Sequence, residues 1–150
     1  MQHTNSLRDL NLEKAYVTIG AFDGVHKGHQ KIIQALTAEA QRDGASAVVL
    51  TFHPHPVMIL RGKRDDFYLT IPEQRAGLLC ALGIDHVVTY PFTEEVSQYP
   101  PERFVDELIE TINMKKLWVG YDFALGKDRQ GDFEYLTKLG EGKGFDVSLV

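Results

Sequence analysis

Along the chain one alternation recurs: a short apolar run, a polar or glycine-containing break, then a longer stretch with apolar residues every three or four positions. Ala15 to Ile19 predicts a first strand, and Ile32, Ile33, Leu36 and Ala40 share one side of a helix that stops near Gly44. Ala47 to Phe52 predicts the second strand, and its unbroken Ala47-Val48-Val49-Leu50 suits a strand covered on both faces. A long irregular stretch, His53 to Leu69, comes next. Thr70 and Glu73 have the spacing of a capping box and open a helix that Gly83 ends. Asp85 to Tyr90 reads as the third strand. Pro100-Pro101 then starts a helix whose Phe104, Val105, Leu108, Ile109 and Ile112 form one apolar stripe, a core face. Leu117 to Val119 predicts a fourth strand, Asp132 caps a short helix carrying Leu136 and Leu139, and Phe145 to Val150 predicts a fifth. Strands alternating with helices imply right-handed crossovers, hence an α/β fold built on a doubly wound parallel sheet.

Composition narrows the function classes. At 150 residues the chain is about one domain with a sizeable core. The 16 basic against 21 acidic residues give a net charge of −5, and with no basic stripe no nucleic-acid partner is expected. Small anions are still admissible, because local N–H groups can outweigh net charge. Cys80 is the single cysteine, which excludes an intrachain disulfide, and its apolar setting reads as core. The opening MQHTNSLRDLNLEK lacks the pattern of a leader, and no apolar run approaches the roughly 18 residues of a membrane span. No membrane partner is expected, and the expected location is the cytoplasm. The chain stops on an apolar strand without a polar tail, which predicts a truncated domain over residues 1–150.

The chemistry concentrates in three segments at predicted carboxyl ends of strands, the edge where open α/β sheets place ligands. In GAFDGVHKGH, Gly20, Gly24 and Gly28 crowd one strand-to-helix turn with Asp23, His26 and His29. A helix start offers unpaired N–H groups and roughly half a positive charge, and glycines let the backbone approach an anion. The two histidines, three apart, can share a side and donate to phosphoryl oxygens. A strand, a glycine turn and a helix are common to most parallel folds; the histidine spacing and Asp23 single this one out as an HxGH nucleotidyl-transfer site. After the second strand, Phe52-His53-Pro54-His55-Pro56 places an aromatic beside a proline-stiffened wall suited to a flat ring, although a plain crossing loop fits as well. The third segment, Gly120 to Asp132, combines Tyr121, Asp122 and Phe123 with Lys127 and Arg129, groups able to bracket a ring and meet phosphates. Read as a zinc set, His26, His29, His53 and His55 lack cysteine, regular pairing or an HExxH pattern, so no bound metal is expected.

GAFDGVHKGH resembles GxFDGVHxGH, VVLTFHPHP resembles TFxPHP, and VGYDFALGKDRQGD resembles VGxDFxFGxxRxGD, three segments in one order spanning most of the chain. On these the sequence is similar to the N-terminal module of the bacterial bifunctional riboflavin kinase/FMN adenylyltransferase family, FAD synthetase. The resemblance implies a Rossmann-like HxGH nucleotidyltransferase fold and transfer of AMP from ATP, with Mg²⁺, to FMN, giving FAD and pyrophosphate. It implies catalytic roles for His26 and His29 and an ATP site of Gly20, Ala21, Phe22, Asp23, Gly28 and Asp122 with both histidines. Phe52, Pro54, His55, Pro56 and Phe123 are implied for the flavin, and Lys127 and Arg129 for phosphates. It further implies a covalently linked riboflavin kinase domain, absent here. Two departures stand out: Leu125 replaces the second aromatic of the third segment, and no ISSTxIR-like segment follows the fifth strand. On that expectation these 150 residues bind ATP or FMN weakly and make little or no FAD. The alternatives are an HxGH transferase acting on another phosphorylated acceptor and a non-catalytic nucleotide- or flavin-binding module.

Overall fold

The structure, a computed structural model, describes residues 2–20, 22, 27–53, 72–120 and 123–150. Six strands form one wholly parallel sheet: β1 (Gln2–Thr4), β2 (Ala15–Ile19), β3 (Ser46–His53), β4 (His86–Pro91), β5 (Met114–Val119) and β6 (Asp146–Leu149). Their order across the sheet is β1-β4-β3-β2-β5-β6. From β2 the chain winds outward through β3 to β4, then returns to β5 on the other side of β2 and winds outward to β6. This is the doubly wound arrangement, and its direction reverses between β2 and β5.

Helices cover both faces. α1 (Lys27–Asp43) and α2 (Pro72–Ala81) lie on one, where Ile33, Leu36, Ala76 and Leu79 pack on Tyr16, Ala47, Val49 and Val87. On the other face α3 (Glu94–Ser97), α4 (Pro101–Ile112) and α5 (Phe133–Lys143) bring Val96, Phe104, Leu108 and Leu136 against Val17, Val48, Leu50 and Leu117. Strands buried at every position are therefore the ones covered on both sides, as β2 and the middle of β3 are. The helix ends follow local chemistry: Asp132 accepts from the Tyr135 amide to cap α5, and Pro101 opens α4.

Five expected strands match β2 to β6. Missing from the expectation are β1, a tight helical turn at Leu7–Asp9, and α3. Gln2-His3-Thr4 carries no apolar period, and its place comes from pairing with β4 through Gln2↔His86, His3↔Val87 and Thr4↔Val88. Cys80 is half-buried on α2. The expected capping box at Thr70 lies outside the described residues.

Candidate functional site

Because all strands run parallel, the segments after β2, β3 and β5 leave from one edge of the sheet, and β2 and β5 flank the reversal point. There the Thr18 hydroxyl donates to the Trp118 carbonyl at 2.8 Å, tying the two strands just before their chains diverge. The Gly20 amide carries the ladder one step further, donating to the Leu50 carbonyl at 3.0 Å.

The turn after β2 is shaped by a packing requirement. A Cβ on Gly20 would lie 2.9 Å from the Phe22 ring, so glycine is what lets that ring fold back over the strand end. Phe22 has φ 53°, in the left-handed region that phenylalanine rarely adopts, and its side chain is 2 % exposed. The ring packs against His29, centroids 4.8 Å apart at 56°. His29 stands on the first turn of α1, half-buried, with Lys27 and Gly28 exposed beside it. No acidic residue occupies that turn, so nothing there opposes the positive end of the helix. Ala21, Asp23 and His26 lie outside the described residues.

At the end of β3, Phe52 is 8 % exposed and belongs to an aromatic cluster, with ring centroids 5.4 Å from Phe92, 5.9 Å from Phe104 and 6.0 Å from Tyr90. The half-buried Tyr90 hydroxyl donates to Glu107 Oε2 at 3.1 Å; burial first, and the Glu107 charge second, push its pKa up and hold it as a neutral donor. Phe52 thus forms the inner wall of this edge and presents little ring surface of its own. Pro54, His55 and Pro56 lie outside the described residues. Arg75, outside the three motif segments, is 1 % exposed and donates to the Thr51 hydroxyl at 3.0 Å. Its signal was position: four residues before buried Leu79, it falls on the apolar side of α2.

After β5 the chain closes into a small hairpin, Leu125 and Gly131 exchanging both backbone bonds at 2.8 and 2.9 Å. It is clamped to the start of α4. A Cβ on Gly126 would meet the Pro101 nitrogen at 2.8 Å, and the Lys127 amide donates to the Tyr99 carbonyl at 2.9 Å. At its tip Lys127, Asp128 and Arg129 are exposed, with Asp128 and Arg129 at φ 57° and 53°. Phe123 is half-buried against the core, and Leu125 is 3 % exposed within it, so the leucine at this position is a matter of core packing. Asp122 lies outside the described residues. Among the described residues no three or more His, Cys, Asp or Glu gather as a metal-binding group.

Residues 9–150 match the family model for FAD synthetase. The chain belongs to the FAD synthetase family. It is 34 % identical over 148 residues to a bifunctional riboflavin kinase/FMN adenylyltransferase of Listeria monocytogenes, covering 98 % of this chain and 46 % of that protein. Proteins of the same description from Escherichia coli and Bacillus subtilis are 33 % and 32 % identical, over 91 % and 94 % of this chain and 44 % and 45 % of their own lengths. The chain thus spans a little under half the length of these relatives. In fold it superposes on a Streptococcus pneumoniae crystal structure described as a macrolide-efflux protein, with a TM-score of 0.81 and 24 % identity, over all of this chain and 50 % of that one. That likeness concerns the fold of the FAD synthetase domain alone.

Proposed function

We propose that this chain is an FMN adenylyltransferase, transferring AMP from ATP to FMN in the last step of making FAD. The observation that supports it best is the turn after β2: in a chain of the FAD synthetase family, His29 stands on the acid-free first turn of α1, at the sheet's reversal point. ATP lays its triphosphate along that turn, over Gly20, Ala21, Phe22, Asp23 and Gly28, with Asp122 on the nucleotide side. A phosphate oxygen of FMN attacks the α-phosphorus in line; the new P–O bond forms as the bond to the bridging oxygen breaks, and its electron pair leaves with pyrophosphate. His26 and His29 donate hydrogen bonds to the oxygens on which charge builds up, so they stabilise the transition state and form no covalent intermediate. Phe22 packs against the His29 ring and limits its movement. Lys127 and Arg129, presented on the hairpin tip, meet the polyphosphate, and Pro54, His55, Pro56 and Phe123 make the flavin side, which the buried Phe52 supports from the core.

Mg²⁺ enters with ATP as part of the substrate, where it neutralises the polyphosphate. The whole protein, like its bifunctional relatives, joins this domain to a riboflavin kinase that supplies FMN, and works in the cytoplasm. Among the described residues no helix is long and apolar enough to cross a membrane.

Acceptor choice tests the proposal. Offered ATP, Mg²⁺ and one phosphorylated acceptor at a time, the protein yields FAD from FMN and adenylylates no sugar phosphate or choline phosphate. A product with another acceptor, and none with FMN, would overturn it.

A further inference from the structure

Arg75 is a buried charge on α2. Its side chain is 1 % exposed and shares the inner side of α2 with Ala76 and Leu79. Removing a guanidinium from water is costly, and an apolar side chain of similar volume would fill the same place without that cost. What an apolar side chain could not supply is the bond that Nη1 donates to the Thr51 hydroxyl at 3.0 Å.

That bond fixes one particular part of the sheet. Thr51 follows Leu50, whose carbonyl receives the Gly20 amide at 3.0 Å, so it is level with the start of the turn after β2. It also stands in register with Thr89 of β4, whose hydroxyl bonds His3 Nε2 at 2.7 Å. His3, Thr89, Thr51 and Arg75 therefore make a polar row along the α1 and α2 face, at the carboxyl edge of otherwise apolar strands. Two residues beyond Thr51, the His53 carbonyl accepts from the Phe92 amide at 3.0 Å. The end of β3 is thus held to β2, to β4 and, through Arg75, to α2.

We propose that Arg75 is a positioning residue for the acceptor: through Thr51 it fixes the end of β3, Thr51 to His53, at the distance from the β2 turn that lets FMN meet the α-phosphate. The inference rests on the FMN adenylyltransferase reading and adds to it a residue outside the three motif segments.

Binding and melting measured together test it. FMN affinity is followed by flavin fluorescence and ATP affinity by calorimetry, in the parent and in Arg75→Met, Arg75→Lys, Thr51→Val and Arg75→Met/Thr51→Val. Arg75→Met should weaken FMN about tenfold or more while ATP affinity changes less than about threefold, without a matching fall in Tm. Arg75→Lys, which keeps a donor for Thr51, should recover most of the loss. Thr51→Val should weaken FMN, and the double variant should be no worse than Arg75→Met. Unchanged FMN affinity in Arg75→Met would overturn the proposal, as would FMN and ATP affinities falling together with Tm, which marks a support of the fold alone. A parent that binds neither substrate would overturn the functional reading itself, and this inference with it.

Discussion

Phe22 keeps a backbone conformation that costs a non-glycine residue on the order of 1–3 kcal/mol, and it keeps it at the turn after β2. What the strain secures is a buried ring against His29, possible because Gly20 has no Cβ. Gly20→Ala would push that ring aside. A displacement of order 1 Å at a reacting group costs about a hundredfold, so turnover should fall ten- to a hundredfold with little change in Tm. A Tm that collapses alongside turnover would instead assign Gly20 to folding. His29→Ala removes the donor itself. Its loss should fall on the rate of FAD formation, by about a hundredfold or more, with FMN affinity nearly unchanged, since the interaction is made chiefly in the transition state. Equal rates in parent and variant would take His29 out of the chemistry.

The elements easiest to read in the sequence were those whose burial is one-sided or complete. α4 shows a single apolar stripe, and β3 carries the unbroken apolar run Ala47 to Leu50 because helices cover both its faces. β1 has neither property: its three polar residues become a strand by pairing with β4, information that local pattern does not carry. The same strand end holds His86, half-buried, with its Nδ1 unbonded among the described residues. Burial lowers the His86 pKa below its ordinary value, against a smaller opposite pull from Asp85. A depressed imidazole pKa means that the fold holds the neutral form better. The stability it contributes is present above the unfolded value near 6.5 and is lost as pH falls through the lower, folded value. His86→Gln should therefore flatten the decline of Tm between pH 7 and 5. Parallel declines in parent and variant would remove His86 as a source of acid sensitivity.

At the scale of the whole molecule, a parallel sheet sends every βα segment to one edge, and so segments far apart in sequence could be expected at that edge from the alternation of strands and helices alone. What stayed hidden was Arg75, a charged residue that reads as solvent-facing until its i, i+4 relation to Leu79 is noticed. Hidden too was the burial of Phe52 and Phe22, since an aromatic beside a glycine or histidine looks like a ligand contact in either case. In the proposed mechanism the four histidines at positions 26, 29, 53 and 55 serve no zinc ion. Protein purified without added metal should carry well under one equivalent of zinc, whereas an equivalent that survives dialysis would make them ligands. The most direct measurement is the fate of the α-phosphate. With FMN, Mg²⁺ and ATP labelled at its α-phosphorus, the account predicts that label passes into FAD, however slowly, and that His29→Ala lowers the rate at least about a hundredfold. Label that never exceeds the His29→Ala level in FAD, or that appears in another product, would contradict it.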